Sequence, residues 1–113
     1  MAESPDYRSL PPLLYRLIDI FADYSMSPPK ASLEDYGVAE SALKSWLASN
    51  AIDSDEKVWR SAKEIGVQCR NYFLQGTALD GRPDPTALRE WRERLDRDVE
   101  SVIVQIRSLR GGG

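Results

Sequence analysis

The chain contains no histidine, one cysteine and no apolar run longer than a few residues. Without imidazole there is no Ser–His or Cys–His nucleophile pair, no His metal ligand and no side chain that titrates near neutrality unperturbed. Carboxylate, lysine and tyrosine chemistry remain. With no cofactor fingerprint in 113 residues, the sequence reads as non-enzymatic, with no cofactor, metal or small-molecule substrate. A lone cysteine cannot close an internal disulfide, which fits a reducing, intracellular setting: cytoplasmic, or nuclear in a eukaryote. No stretch approaches the roughly twenty apolar residues of a spanning helix, and residues 1–6 are acidic without the apolar centre of a secretory signal. No membrane partner is therefore expected.

What is present is the composition of a globular protein. Hydrophobic residues make up 42% and charged residues 29%, the net charge is −3 and the mean hydropathy is −0.46. The length suits one domain around one core. Periodicity then predicts an all-α fold, a small bundle of four to five helices. Leu10, Leu13, Leu14, Leu17, Ile18 and Phe21 follow i, i+3, i+4, i+7, i+8, i+11 and line one face. Ser9 is placed to cap this helix, Pro11 and Pro12 fall in its first turn, and Ser27-Pro28-Pro29 ends it.

A short helix is expected over 31–36, broken by Gly37, and a second over 38–49 with Leu43, Trp46 and Leu47 inward. Asp53 and Glu56 have capping-box spacing for a fourth helix, whose apolar positions Val58, Ala62, Ile65, Cys69, Tyr72 and Phe73 continue to Gly76. A turn-rich loop over 76–85 follows. Asp84 as N-cap and Pro85 at the first position start the last helix. Its seam, Leu88, Trp91, Leu95, Val99, Val102, Ile103, Ile106 and Leu109, runs to the stop at residues 111–113. The last two helices should form an antiparallel hairpin over 53–110. Residues 1–9 and 111–113 are expected to be flexible.

The segment Ala31 to Leu47 resembles the helix-turn-helix of transposase-type and phage-type DNA binders. Gly37 matches the turn glycine, and Val38, Leu43 and Trp46 match the residues that lock the two helices together. The resemblance implies a trihelical unit over 10–50 and a contact face at Lys30, Ala39, Glu40, Ser41, Lys44 and Ser45. Electrostatics opposes that function: residues 1–50 hold four basic against seven acidic side chains, and the face offers no Arg, Asn or Gln for bidentate base contacts.

Residues 51–113 balance eleven basic with eleven acidic residues. In the last helix Arg89–Glu93, Glu90–Arg94, Arg92–Asp96 and Arg94–Asp98 have i,i+4 spacing, which predicts a salt-bridged, solvated face. Cys69 reads as a small buried hydrophobe, and Gly66 with Ala62 as a small-residue patch at a close helix crossing. Trp46, Trp59 and Trp91 read as core anchors.

The leading expectation is therefore a non-catalytic protein-interaction and assembly module, binding a protein partner or itself. Because the last helix, at about 36 Å, is longer than the short helices can cover, Trp91, Leu95, Val99, Val102, Ile106 and Leu109 are expected to form a homo-oligomer seam. The alternative is a sequence-specific DNA binder with its helix-turn-helix at 31–49 and the 53–110 hairpin dimerising, similar in layout to small repressors and phage small terminase subunits.

Overall fold

A computed structural model describes residues 6–26, 28–78 and 84–111, with side chains over 6–26, 28–75 and 84–109. Its elements are α1 (Leu10–Ser25), α2 (Leu33–Ser49), α3 (Glu56–Ala78) and α4 (Pro85–Gly111). The chain is thus an all-α bundle of four helices. The expectations for residues 1–5, Ser27, the loop over 79–83 and residues 112–113 lie outside the described residues.

The helices start where local chemistry supplies hydrogen-bond acceptors, though not always at the expected residue. Ser32 caps α2 through a reciprocal box: the Asp35 N–H donates to Ser32 Oγ at 3.0 Å and the Ser32 N–H to Asp35 Oδ2 at 2.9 Å. Asp55, not Asp53, caps α3, accepting from the Lys57 and Val58 N–H groups at 3.0 and 3.2 Å. Asp53 is left exposed in the preceding turn. Ser9 precedes α1 but makes no side-chain cap; its hydroxyl donates to Asp6 Oδ2 at 2.6 Å. Asp84 caps α4 as expected, accepting from the Thr86 N–H at 3.1 Å, with Pro85 next.

Two expectations fail in α2. Gly37 does not break the chain: it sits in the second turn of one continuous helix, and nothing lies within 4 Å of where its Cβ would be. A helix interior tolerates glycine at about 1 kcal/mol relative to alanine, a cost that the Ser32–Asp35 cap upstream and the packing of Tyr36 and Ala39 on either side can offset. Residues 10–50 therefore hold two helices rather than three. Val38, expected to lock two helices together, points outward at 57% exposure, whereas Leu43 and Trp46 are buried.

Contacts fix the directions. Trp59 meets Leu47, Gly66 meets Leu43 and Arg70 meets Glu40, so α3 runs antiparallel to α2. Ser61 reaches Gln105 while Tyr72 stacks on Trp91, so α4 runs antiparallel to α3, and the expected hairpin is present. Helices α1 and α3 each touch the other three, and α2 and α4 lie on opposite sides of that pair without meeting. Of all the pairings, α2 with α3 is the lightest.

One core cluster joins all four helices. Leu14, Leu17, Ile18 and Phe21 of α1 meet Leu43, Val58, Ile65, Cys69, Leu95, Val99 and Val102. Phe73 stacks flat on Tyr36 at 4.4 Å and tilts against Tyr24 at 5.4 Å. Residues 6–9, expected to be flexible, are tied down. The Trp46 indole N–H donates to the Asp6 carbonyl at 2.7 Å, the Asp6 N–H to Asn50 Oδ1 at 3.3 Å, and the Asp55 N–H to the Tyr7 hydroxyl at 2.7 Å.

Candidate functional site

Gly66 stands where α2 and α3 approach closely: a Cβ there would lie 3.1 Å from Leu43 Cδ2. Beside this crossing lies an open groove of about 520 Å³. Leu43, Leu47, Gly66 and Val67 supply its apolar surface, and Trp59 closes one end by donating its indole N–H to the Leu47 carbonyl at 2.8 Å. At the other end Arg70 Nη1 donates to Glu40 Oε1 at 3.1 Å.

The rim is basic. Lys44, Lys63 and Arg70 line the groove against the single carboxylate of Glu40. Lys44 is 74% exposed and 3.7 Å from Glu40 Oε1, Lys63 lies 5.3 Å from the Trp59 ring centre, and Arg70 lies 5.7 Å from that of Phe73. Glu40 is turned inward, at 13% side-chain exposure, and also accepts from the Tyr36 hydroxyl at 3.2 Å. In a chain with net charge −3 this is a local reversal of sign. A second hollow, of about 390 Å³ between α3 and α4, is not basic, since Arg60 there faces two carboxylates, Glu64 and Asp98, beside Gln68 and Ser61.

Beneath the groove lie Tyr36 and Cys69. Burial pushes the Cys69 thiol up to about 12, only partly countered by its hydrogen bond with the Tyr36 hydroxyl, and the Glu40 charge adds to the rise. The Tyr36 phenol is raised well above its ordinary value, first by burial and then by Cys69 and Glu40. Both groups stay protonated at neutral pH. The expected reading of Cys69 as a buried hydrophobe holds, with its side chain closed to solvent.

The candidate contact face is divided by the helix that carries it. Ala39 is buried in the core and cannot touch a partner. Ser41 and Ser45 are exposed, away from the groove lining, while Glu40 and Lys44 belong to its rim. Lys30 is exposed in the turn before α2, its N–H donating to the Asp23 carbonyl at 2.8 Å.

The proposed oligomer seam on α4 is consumed by the chain's own core. Leu95, Val99 and Val102 have no exposure and Ile106 has 6%. Trp91 is half-buried, stacked on Tyr72 at 4.8 Å and facing Phe21 at 6.4 Å. Of that set only Leu109 is exposed. The seam is covered because α1 and α3 both pack on α4. The i,i+4 ladder fails for a related reason: among the described residues none of its four pairs closes to an ion pair, and Arg92 instead reaches across to Asp19 on α1.

Trp59, Lys63, Val67, Arg70 and Asn71 complete the groove and were not legible as a site in the sequence. The small-residue patch at Ala62 and Gly66 was the signal that pointed toward it. Comparison with protein-family models, curated proteins and solved structures gave no match. Among the described residues no helix is long and apolar enough to cross a membrane.

Proposed function

We propose that the protein is a non-catalytic interaction module that binds another protein through the α2/α3 groove. The observation that carries this reading is the coincidence, in one place, of an open apolar floor and a basic rim on an otherwise acidic chain. An apolar groove between helices is one form in which a protein takes up a helix of its partner. Self-assembly through α4 draws no support from the burial of its seam, so a foreign partner is favoured over a second copy.

The test is site-directed photo-crosslinking in cells. A photoreactive residue at Val67, in the groove, should give a discrete protein adduct, whereas one at exposed Val104 on α4 should not. The Val67 adduct should weaken when Leu47 is replaced by Glu. Adducts of equal yield from both positions, or none from Val67, would overturn the reading.

A further inference from the structure

We propose that the occupant of the groove is an acidic amphipathic helix of about three turns, contributed by the partner protein; this rests on the interaction reading above and specifies its chemistry. Length comes first. The α3 residues that line the groove run from Trp59 to Asn71, a rise of about 18 Å, which is the length of a twelve-residue helix. The Trp59–Leu47 and Arg70–Glu40 hydrogen bonds between α2 and α3 mark the two ends of that line. A helix laid in such a groove reads it with apolar residues at i, i+3 or i+4 and i+7.

Charge decides the flanks. An occupant with its apolar residues on Leu43, Leu47 and Val67 places the borders of its polar face beside Lys44, Lys63 and Arg70. Carboxylates there meet cations. The one acid on the rim, Glu40, pairs with Arg70 at 3.1 Å and with Lys44 at 3.7 Å, so three cations against one carboxylate leave the rim a net positive charge. A basic helix would set like charges together, which costs affinity and slows encounter.

A second copy of the chain does not supply the required stripe. The exposed large apolar side chains among the described residues are Leu33, Val38, Ile52, Val67, Leu74, Val104 and Leu109, and no two stand three or four apart. Val67 and Leu74 are seven apart on α3, but Val67 belongs to the groove itself, so among the described residues these side chains make no further stripe to insert.

The experiment uses the full chain, labelled for amide NMR, and three twelve-residue helical peptides with the same leucine face. Their polar faces are acidic, neutral or basic. The acidic peptide should shift the amides of Lys44, Gly66, Val67 and Arg70 and bind at least tenfold more tightly than the neutral one. Its affinity should fall severalfold between 50 and 500 mM salt. In the double variant Lys44→Glu/Lys63→Glu, with the fold checked by circular dichroism, the preference should invert toward the basic peptide. Equal affinity for all three peptides at these amides would overturn the acidic partner and leave the groove as a docking site. No shift at these amides with any peptide would overturn both readings. A mixed-sequence DNA duplex that shifts the same amides more strongly than the acidic peptide would overturn the protein partner in favour of nucleic acid.

Discussion

Gly66 sets the closest approach of α2 to α3, and two opposed effects meet there. Alanine in a helix interior is favoured over glycine by about 1 kcal/mol. The added methyl would stand 3.1 Å from Leu43 Cδ2, the far end of a flexible side chain that faces an open groove and can yield by a few tenths of an ångström. Gly66→Ala should therefore stabilise the fold by up to about 1 kcal/mol in urea unfolding while narrowing the groove and weakening its occupant. A destabilised variant would show that Leu43 is held more firmly than its surroundings suggest. The inward or outward sense of Leu43, Trp46 and Cys69 was legible from spacing alone. That of Val38 was not, because its orientation depended on whether Gly37 ended a helix. Residues around a glycine are assigned to different faces by a break and by a continuous helix.

Helix α2 shows what a cap contributes when the interior is weak. It carries Gly37 and three serines, and its start rests on Ser32 and Asp35. Ser32→Ala should cost about 0.5–2 kcal/mol. The Ser32 N–H, and then its hydroxyl, hold the Asp35 carboxyl below its ordinary range. A carboxyl lowered in the folded state contributes stability above its unfolded pKa and loses it as pH falls through the folded one. Asp35→Asn should thus destabilise more at pH 7 than at pH 2, a difference that thermal melts at the two pH values would read. The other helices were legible because their apolar spacing is regular and their starts carry Asp or Pro signals. The break at Gly37 was over-read because glycine marks both turns and tolerated interior positions. The cap of α3 was misplaced by two residues because Asp53 and Asp55 both precede the first turn, and only the path of the chain selects between them.

Across the whole molecule charge is separated. The groove rim is basic, while the α1/α4 side brings Asp19, Glu93 and Glu100 near Asp96, and Glu100 and Asp96 near Tyr15. Burial, followed by Glu100 and Asp96, raises the Tyr15 phenol. The Asp96 carboxyl is raised first by burial, with Asp19, Glu100 and Glu93 adding to the rise and Arg92 opposing it. A carboxyl raised in the folded state binds its proton more tightly than in the unfolded chain. Its ionised form therefore costs stability above the folded pKa, and the cost is relieved as pH falls toward the unfolded one. Asp96→Asn should raise the melting temperature at pH 7 and lose that advantage near pH 3. The groove and the charge separation were invisible in the sequence because both depend on which helices are neighbours. Nothing in the spacing of α2 or α3 says that they meet lightly, or that α2 and α4 never meet. The clasp ahead of α1 bears on the order of assembly. Asp6 and Tyr7 are joined to Trp46, Asn50 and Asp55, 40 to 48 residues along the chain. These contacts join α1, α2 and the start of α3, so they are expected to close late, after the folding barrier. Tyr7→Phe, losing one hydrogen bond of about 1 kcal/mol, should accelerate unfolding about fivefold and leave the refolding rate nearly unchanged in stopped-flow measurements. The first described residues of the chain would then be the last to settle, acting as a brake on departure from the native state.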